Sequence, residues 1–346
     1  MNRAHDSGWP AFWQSRSLGA ILLLPLAALF GLLSGLRRQL YKLQLLPSWR
    51  APVPVLVVGN VTVGGTGKTP LLLLLAQQLV EAGYHPGILS RGWGRAERTV
   101  LAVEADTDPR RCGDEPLLLR QRSACPVWVG AKRAQVAQAL LAAHPEVDVL
   151  LSDDGLQHLA LARDLELVVI DQRGAGNGWL LPAGPLRERW HRRRDATLGP
   201  ASALDRLPGA CFALTRAAAA LRHMASGRRL SPQDFLRQQA GSRLAAAAGI
   251  GHPGQFFQML RELGCQLEQT LALPDHCPMS GDPFAGLSAE CLLITEKDGL
   301  KCTPQTPGFE RLWVVELELR TDPELLPWLL LQLPQPRTEF HGSTPA

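Results

Sequence analysis

Short apolar runs, each closed by Gly, Ser or Asp and followed by a helical pattern, recur along most of the chain. Pro54 to Val58, Gly87 to Ser90, Pro126 to Val129, Val147 to Leu151, Leu165 to Asp171 and Cys211 to Thr215 read as buried strands. Leu71 to Val80 and Lys132 to Ala142 read as helices between them. An Ala- and Arg-rich stretch from Ala217 to Arg229 reads as a boundary. A second series follows it: a strand at Arg243 to Ile250, a turn at Gly251-His252-Pro253-Gly254 and a helix at Gln255 to Leu263. Another strand precedes Pro274, and Cys291 to Thr295 is a further one. Strands alternating with helices predict an α/β fold with a mostly parallel sheet flanked by helices, and ligands at the carboxyl ends of the strands. The expected organisation is an N-terminal helical segment over 1–50, a larger α/β domain over 51–220 and a smaller α/β domain over 221–346. The Pro-rich, polar tail after Pro334 reads as disordered.

The N-terminal pattern is different. No charge lies between Arg16 and Arg37, and the span from Ser17 to Leu36 is Leu-rich. That is the threshold length for crossing a bilayer, although Pro25, Gly31 and Gly35 weaken it as a helix. Trp9, Phe12 and Trp13 precede it, and Arg37, Arg38, Tyr41 and Lys42 follow, flanks that suit a membrane interface. A cleaved signal lacks its small-residue cleavage site here. A buried core helix and a membrane anchor, spanning or lying flat, are the other two readings. The anchor fits the flanks best, and basic residues after it leave the rest of the chain in the cytoplasm.

Composition adds bounds rather than detail. The 346 residues are 46% apolar and 20% charged, enough for two packed cores. A net charge of +4, with no finger or RNA-binding signature, does not point to nucleic acid. The seven cysteines are odd in number and form no CxxC pair, so neither a disulfide framework nor a zinc site is expected and a reducing compartment fits.

Chemistry concentrates where the first strand ends. Gly59-Asn60-Val61-Thr62-Val63-Gly64-Gly65-Thr66-Gly67-Lys68-Thr69 follows it, then Pro70 and the first helix. Strand, Gly-rich turn ending in Gly-Lys-Thr, helix is the context of a phosphate-binding P-loop. Glycines let backbone amides converge on phosphate oxygens, and the helix N-terminus adds positive potential. Lys68 is the candidate for the β- and γ-phosphates of ATP, Thr69 for Mg²⁺, and Thr62, Val63, Gly64, Gly65, Thr66 and Gly67 for the triphosphate. Thr62 stands where the strict pattern has its first glycine. Asp153 and Asp154 close the Val147 strand, the expected place for a Mg²⁺-binding carboxylate or for a turn-forming Asp pair. Gln157 and His158 fall at the same rim, and Arg91 and Arg95 follow another strand. Asp114, in Gly113-Asp114-Glu115-Pro116, reads as a helix cap or as a catalytic base. The basic run from Gly184 to Asp195 reads as a solvated face or as a surface for a phosphorylated amphiphile.

Taken together these motifs resemble the tetraacyldisaccharide 4'-kinase family. The segments that carry the likeness are Gly59 to Pro70, Ser90 to Gly94, Gly113 to Pro116, Asp153 to His158, Gly184 to Glu188, Ala247 to Gly251, Pro274 to His276 and Thr295 to Asp298. The departure at Thr62 belongs to that family's pattern. The resemblance implies two α/β domains with the active site in the cleft between them, and ATP-dependent phosphorylation of the 4'-hydroxyl of a tetraacylated glucosamine disaccharide 1-phosphate. It also implies docking through the N-terminal segment on the cytoplasmic face of the bacterial inner membrane. Asp114 and His276 would form a catalytic pair. Asn60, Arg91, Gln157, His158 and Arg187 would be the acceptor-binding candidates. The contrasting expectations are a P-loop GTPase or metal-insertion chaperone, and an ATP-sensing membrane module without chemistry. Neither Thr215-Arg216 nor Thr295-Glu296-Lys297-Asp298 has the order of a guanine-reading motif, and no Cys/His-rich delivery segment is present. Oligomeric state leaves no trace in the sequence.

Overall fold

The computed structural model describes residues 10–65, 67–95, 99–274, 277, 279 and 281–336. Two compact units divide the chain, one of Ala11–Leu214 with Thr321–Ala346 and one of Met1–Pro10 with Thr215–Arg320. The change of unit thus falls at Thr215, where the sequence pattern suggests 220, and the last residues return to the first-named unit.

The larger unit opens with two helices, α1 (Leu18–Leu22) and α2 (Leu24–Lys42). Ser17 caps the first through its hydroxyl, and Pro25 sits in the first turn of the second, where its missing N–H costs nothing. Their leucines at 18, 22, 26, 29, 33 and 36 form one stripe at helical spacing, each at least half exposed, while Ala20 and Ala27 on the opposite side are buried. Among the described residues no helix is long and apolar enough to cross a membrane.

The elements that follow alternate. They are β1 (Val55–Gly59), α3 (Lys68–Glu81), β2 (Pro86–Ser90), β3 (Leu101–Val103), α4 (Pro109–Cys112), α5 (Asp114–Arg122), β4 (Val127–Val129), α6 (Arg133–Ala143), β5 (Val149–Asp153), β6 (Leu165–Val169), β7 (Ala196–Gly199) and β8 (Ala210–His223). The sheet order is β8-β7-β6-β1-β5-β2-β4-β3, parallel except for β3 at the edge. Strand β1 lies between β5 and β6, so every one of its residues is buried, and that explains an apolar run without alternation. Its register sets Val58 beside Asp153. Helix and sheet faces meet in a core that includes Val57, Leu89, Val136, Leu140, Leu150 and Val168. The C-terminal helix at Leu325–Gln332 also belongs to this unit.

The smaller unit continues with β9 (Arg229–Leu230), α7 (Pro232–Gln238), β10 (Leu244–Ala248), α8 (Pro253–Leu263), β11 (Leu267–Ala272), β12 (Cys291–Thr295), α9 (Glu296–Gly299) and β13 (Leu312–Thr321), before α10 (Leu325–Gln332). Strands β11-β10-β12-β13 pair in parallel in that order. Phe235, Phe256, Leu260 and Trp313 fill one face and Phe284, Leu292 and Leu312 the other. The stretch Ala217 to Arg229, read as a boundary, is strand in its first half, with Leu221 and Arg222 paired to β9. Alanine has little strand preference of its own, so only the pairing reveals it. The tail read as disordered falls mostly on 337–346, outside the described residues.

Candidate functional site

The turn after β1 is shaped by contacts that leave no room for larger side chains. A Cβ on Gly59 would lie 2.6 Å from Leu156, and Gly64 and Gly67 hold φ of 100° and 85°. Gly67 stands directly before α3 and offers no side-chain cap, so the first amides of that helix are left for a ligand. Asn60 is fully buried, and its amide donates to the carbonyl of Gly64 at 2.9 Å and accepts from Lys68 Nζ at 3.2 Å. It therefore ties the turn to its lysine. The Val63 amide donates to the carbonyl of Pro185 at 2.9 Å. Val63 thus fixes the shape of the turn and has no spare amide for phosphate. Thr69 is buried just inside α3. Thr66 lies outside the described residues.

Because β5 neighbours β1, the two aspartates arrive at the same edge. Lys68 Nζ is 3.6 Å from Asp154 Oδ1, and Arg187 reaches Asp154 Oδ2 at 3.1 Å. Burial pushes the Asp154 carboxyl upward, but Lys68 and Arg187 outweigh it and hold the group below the usual carboxylate value. Asp153 faces the opposite balance. Burial, then the Glu115 charge, raise it to about 6, against the pull of Lys68. Its Oδ2 accepts from Ser90 Oγ at 2.9 Å, while its buried Oδ1 has no hydrogen-bond partner. The two carboxylates therefore differ: Asp154 is an anion already held by two cations, and Asp153 keeps a coordination position open.

Beside them, Arg133 is buried at the start of α6 and donates to the carbonyls of Gly130 at 2.7 Å and Asp153 at 3.0 Å. Burial lowers it to about 10. His158 drops to about 4, first through burial and then through Arg133 and Arg91, so its imidazole is neutral at physiological pH. Arg37, Trp49, Lys132, Arg133, Gln135 and His158 line a cavity of about 480 Å³. Gln157 donates to Glu188 Oε1 at 2.9 Å. Arg91 lies over the Trp93 ring, and Arg95 donates to the carbonyl of Thr99.

Asp114 is the first residue of α5, and Gly113 is the cap. The cap reading of Asp114 therefore gives way to a carboxylate inside the first turn. Gly113 has φ 95° and ψ 154°, and a Cβ there would lie 3.0 Å from the Trp93 carbonyl oxygen. Gly92, at φ 68°, would put a Cβ 2.5 Å from the Cys112 carbonyl oxygen. Two glycines thus let the 91–95 loop lie backbone to backbone on the turn that carries Asp114. His276 lies outside the described residues.

Sequence reasoning brings out most of this edge but misses Ser90, Arg133 and Glu188 as site groups. An arginine opening an Ala-rich helix was the available signal for Arg133. The Thr295 to Asp298 motif, by contrast, is engaged internally. Thr295 caps α9, and Asp298, with no exposure, accepts from the Gly249 amide at 2.9 Å and from Thr295 Oγ1 at 2.7 Å. Through Oδ2 its carboxylate joins the ends of β12 and β10, while its buried Oδ1 has no hydrogen-bond partner among the described residues. Among the described residues no group of three or more His, Cys, Asp or Glu could hold a metal.

The mostly parallel sheet flanked by helices, with its glycine-rich turn and the acidic strand end beside it, defines an α/β protein with a candidate phosphate-binding site. The family model described as tetraacyldisaccharide-1-P 4'-kinase matches residues 19–334. The chain belongs to this family and is a kinase. It is 50% identical over 317 residues to a tetraacyldisaccharide 4'-kinase of Janthinobacterium sp. (strain Marseille), covering 90% of this chain and 91% of that one. It is 46% identical over 323 residues to that of Herminiimonas arsenicoxydans, covering 90% of each. The crystal structure of LpxK from Aquifex aeolicus in complex with ATP matches with a TM-score of 0.75 and 27% identity, over 91% of this chain and all of that one.

Proposed function

We propose that this chain transfers the γ-phosphoryl group of ATP to the 4'-hydroxyl of a tetraacyldisaccharide 1-phosphate, giving the bis-phosphorylated lipid A precursor. The observation that carries the residue assignment is the meeting of Lys68 with Asp154 at 3.6 Å, which sets the glycine-rich turn against an acidic strand end. Phosphoryl transfer asks mainly for positioning and charge neutralisation. The amides at the start of α3 and Lys68 hold the triphosphate. Thr69 and Asp153 are the groups that would hold Mg²⁺, and the buried, unpartnered Oδ1 of Asp153 suits a cation. Such an ion, when bound, neutralises the phosphate oxygens. Asp154 keeps Lys68 and Arg187 at the edge where negative charge gathers.

A sugar hydroxyl has no useful acidity at neutral pH, so a positioned base is required. Asp114 takes the hydroxyl proton, and the family motif assigns His276 as its partner. The basic lining of the cavity at Arg37, Lys132 and Arg133, with His158 beside them, suits an acceptor that already carries a phosphate, and the family resemblance adds Arg91, Gln157 and Arg187 as acceptor-binding groups. The exposed leucine stripe of α1 and α2 suits a helix pair lying in the membrane interface, on the cytoplasmic face of the inner membrane. The Asp114→Asn variant tests the base. Its turnover should fall about 10²- to 10⁴-fold while ATP binding, followed by calorimetry, stays within twofold. Unchanged turnover would reject the assignment.

A further inference from the structure

We propose that the segment 177–188 is a strap through which the N-terminal helices set the phosphate cradle, with Arg38 as its positioning residue. This rests on the reading above, that the cradle serves transfer to a membrane lipid. The leucine stripe of α1 and α2 faces away from the protein, and the opposite helix face, which holds Ala20, Ala27, Gly31 and Arg38, turns toward it.

From that side, and from residues 12–15 just before α1, contacts converge on one stretch of chain. The Asn177 amide N–H donates to the carbonyl of Trp13 at 2.8 Å, and its side chain donates to Phe12 at 3.2 Å and Ser15 at 3.4 Å. Trp13 Nε1 donates to the carbonyl of Pro182 at 2.9 Å. Gly31 lies so near Leu180 that a Cβ would approach it to 2.9 Å. Arg38 closes the series with a 2.6 Å ion pair to Glu188.

The far side of the same stretch holds the cradle. Pro185 accepts from the Val63 amide, and the Arg187 amide donates to the carbonyl of Val61 at 2.7 Å. Arg187 then reaches Asp154. Between its two faces the segment is bonded to itself. Asn177 donates to Ala183 at 2.9 Å, and the Leu181 amide to Leu186 at 2.9 Å. A stretch tied to itself in this way passes on displacement rather than absorbing it.

Glu188 is the junction. It is buried and gathers Arg38, Arg192 at 2.9 Å and Gln157 at 2.9 Å, while its neighbour Arg187 holds Asp154. A buried carboxylate that loses one of its cations is left with uncompensated charge, which its surroundings relieve by rearranging. Removal of the Arg38 charge therefore pulls on Gln157 and Arg192 and shifts Arg187 from Asp154. The helices that meet the lipid through one face are thereby joined, through the other, to the groups that meet the nucleotide.

The test uses the full chain on vesicles of phosphatidylethanolamine and phosphatidylglycerol carrying the lipid disaccharide acceptor. Arg38→Met should lower kcat about tenfold, with KM for ATP and the vesicle-bound fraction within twofold of the unsubstituted protein. Arg38→Lys, which keeps the charge, should recover most of the rate. In an Arg187→Ala background Arg38→Met should cost nothing further, because its effect runs through Arg187. An unchanged kcat, a loss that follows loss of vesicle binding, or a fully additive double variant would each overturn the proposal. Absence of phosphoryl transfer by the unsubstituted protein would instead bring down the functional reading on which it rests.

Discussion

The contact of Gly113 with the 91–95 loop makes a graded prediction for Gly113→Ala. The backbone there, at φ 95° and ψ 154°, lies in a region that only glycine enters readily, and an L-residue held in it costs about 1–3 kcal/mol. A Cβ would also press on the Trp93 carbonyl at 3.0 Å and on Gly92 at 3.3 Å, both backbone atoms that cannot swing aside. Such overpacking adds about 1 kcal/mol or more. The expected loss is therefore about 2–4 kcal/mol in urea unfolding. Gly94 provides the internal control. It has φ 81° but nothing within 4 Å of its Cβ position, so Gly94→Ala carries conformational strain of about 1–2 kcal/mol and no clash. The two variants should differ more in turnover than in stability. Relief of the Gly113 clash moves the turn carrying Asp114, and a displacement of about 1 Å at a reacting group can cost roughly 10²-fold. Urea melts and kcat at saturating substrates, measured on both variants, give the comparison. Equal turnover losses for Gly113→Ala and Gly94→Ala, or an undiminished stability for Gly113→Ala, would refute the account of how Asp114 is held.

Two other outcomes follow from the charges and the surface. Without metal, the Asp153 carboxyl is raised above its ordinary value, so the stability it contributes is full below about pH 3.8 and is lost as pH rises through about 6. Thermal melts with and without Mg²⁺ and ATP should show metal-nucleotide stabilisation growing from pH 5 to 7.5, and Asp153→Asn should reduce that growth to the part that ATP's own terminal phosphate contributes. Leu26 and Leu33 are each more than half exposed, and changing both to Ser should remove about 2 kcal/mol of interfacial burial, roughly a 30-fold loss in vesicle sedimentation. Unaltered sedimentation would contradict the interfacial placement of α2.

How much of this was legible in the sequence depended on what each residue's role required of its neighbours. Strands such as β1 and β5 announce themselves because burial on both faces demands unbroken apolar runs, and the groups that meet a ligand follow where the runs stop. Asp153 and Lys68 could therefore be placed at one edge before any coordinates. Strand β13 and helix α10 had no such marker, since their apolar residues merge into a Leu-rich stretch interrupted by charge. The Ala-rich half of β8 had no propensity to reveal it. Pairwise chemistry was hidden as well. That Asn60 grips both Gly64 and Lys68, that Asp298 serves its own unit, and that Glu188 collects partners from 150 and 31 residues away are consequences of packing rather than of local pattern.

The most direct measurement incubates the purified chain with γ-labelled ATP, Mg²⁺ and the tetraacyldisaccharide 1-phosphate, and locates the label in the product by phosphorus NMR and mass spectrometry. The account predicts one added phosphoryl group at the 4'-position, made by the native protein and lost with Lys68→Met. Label released only as inorganic phosphate, or transferred equally well by Lys68→Met, would contradict it.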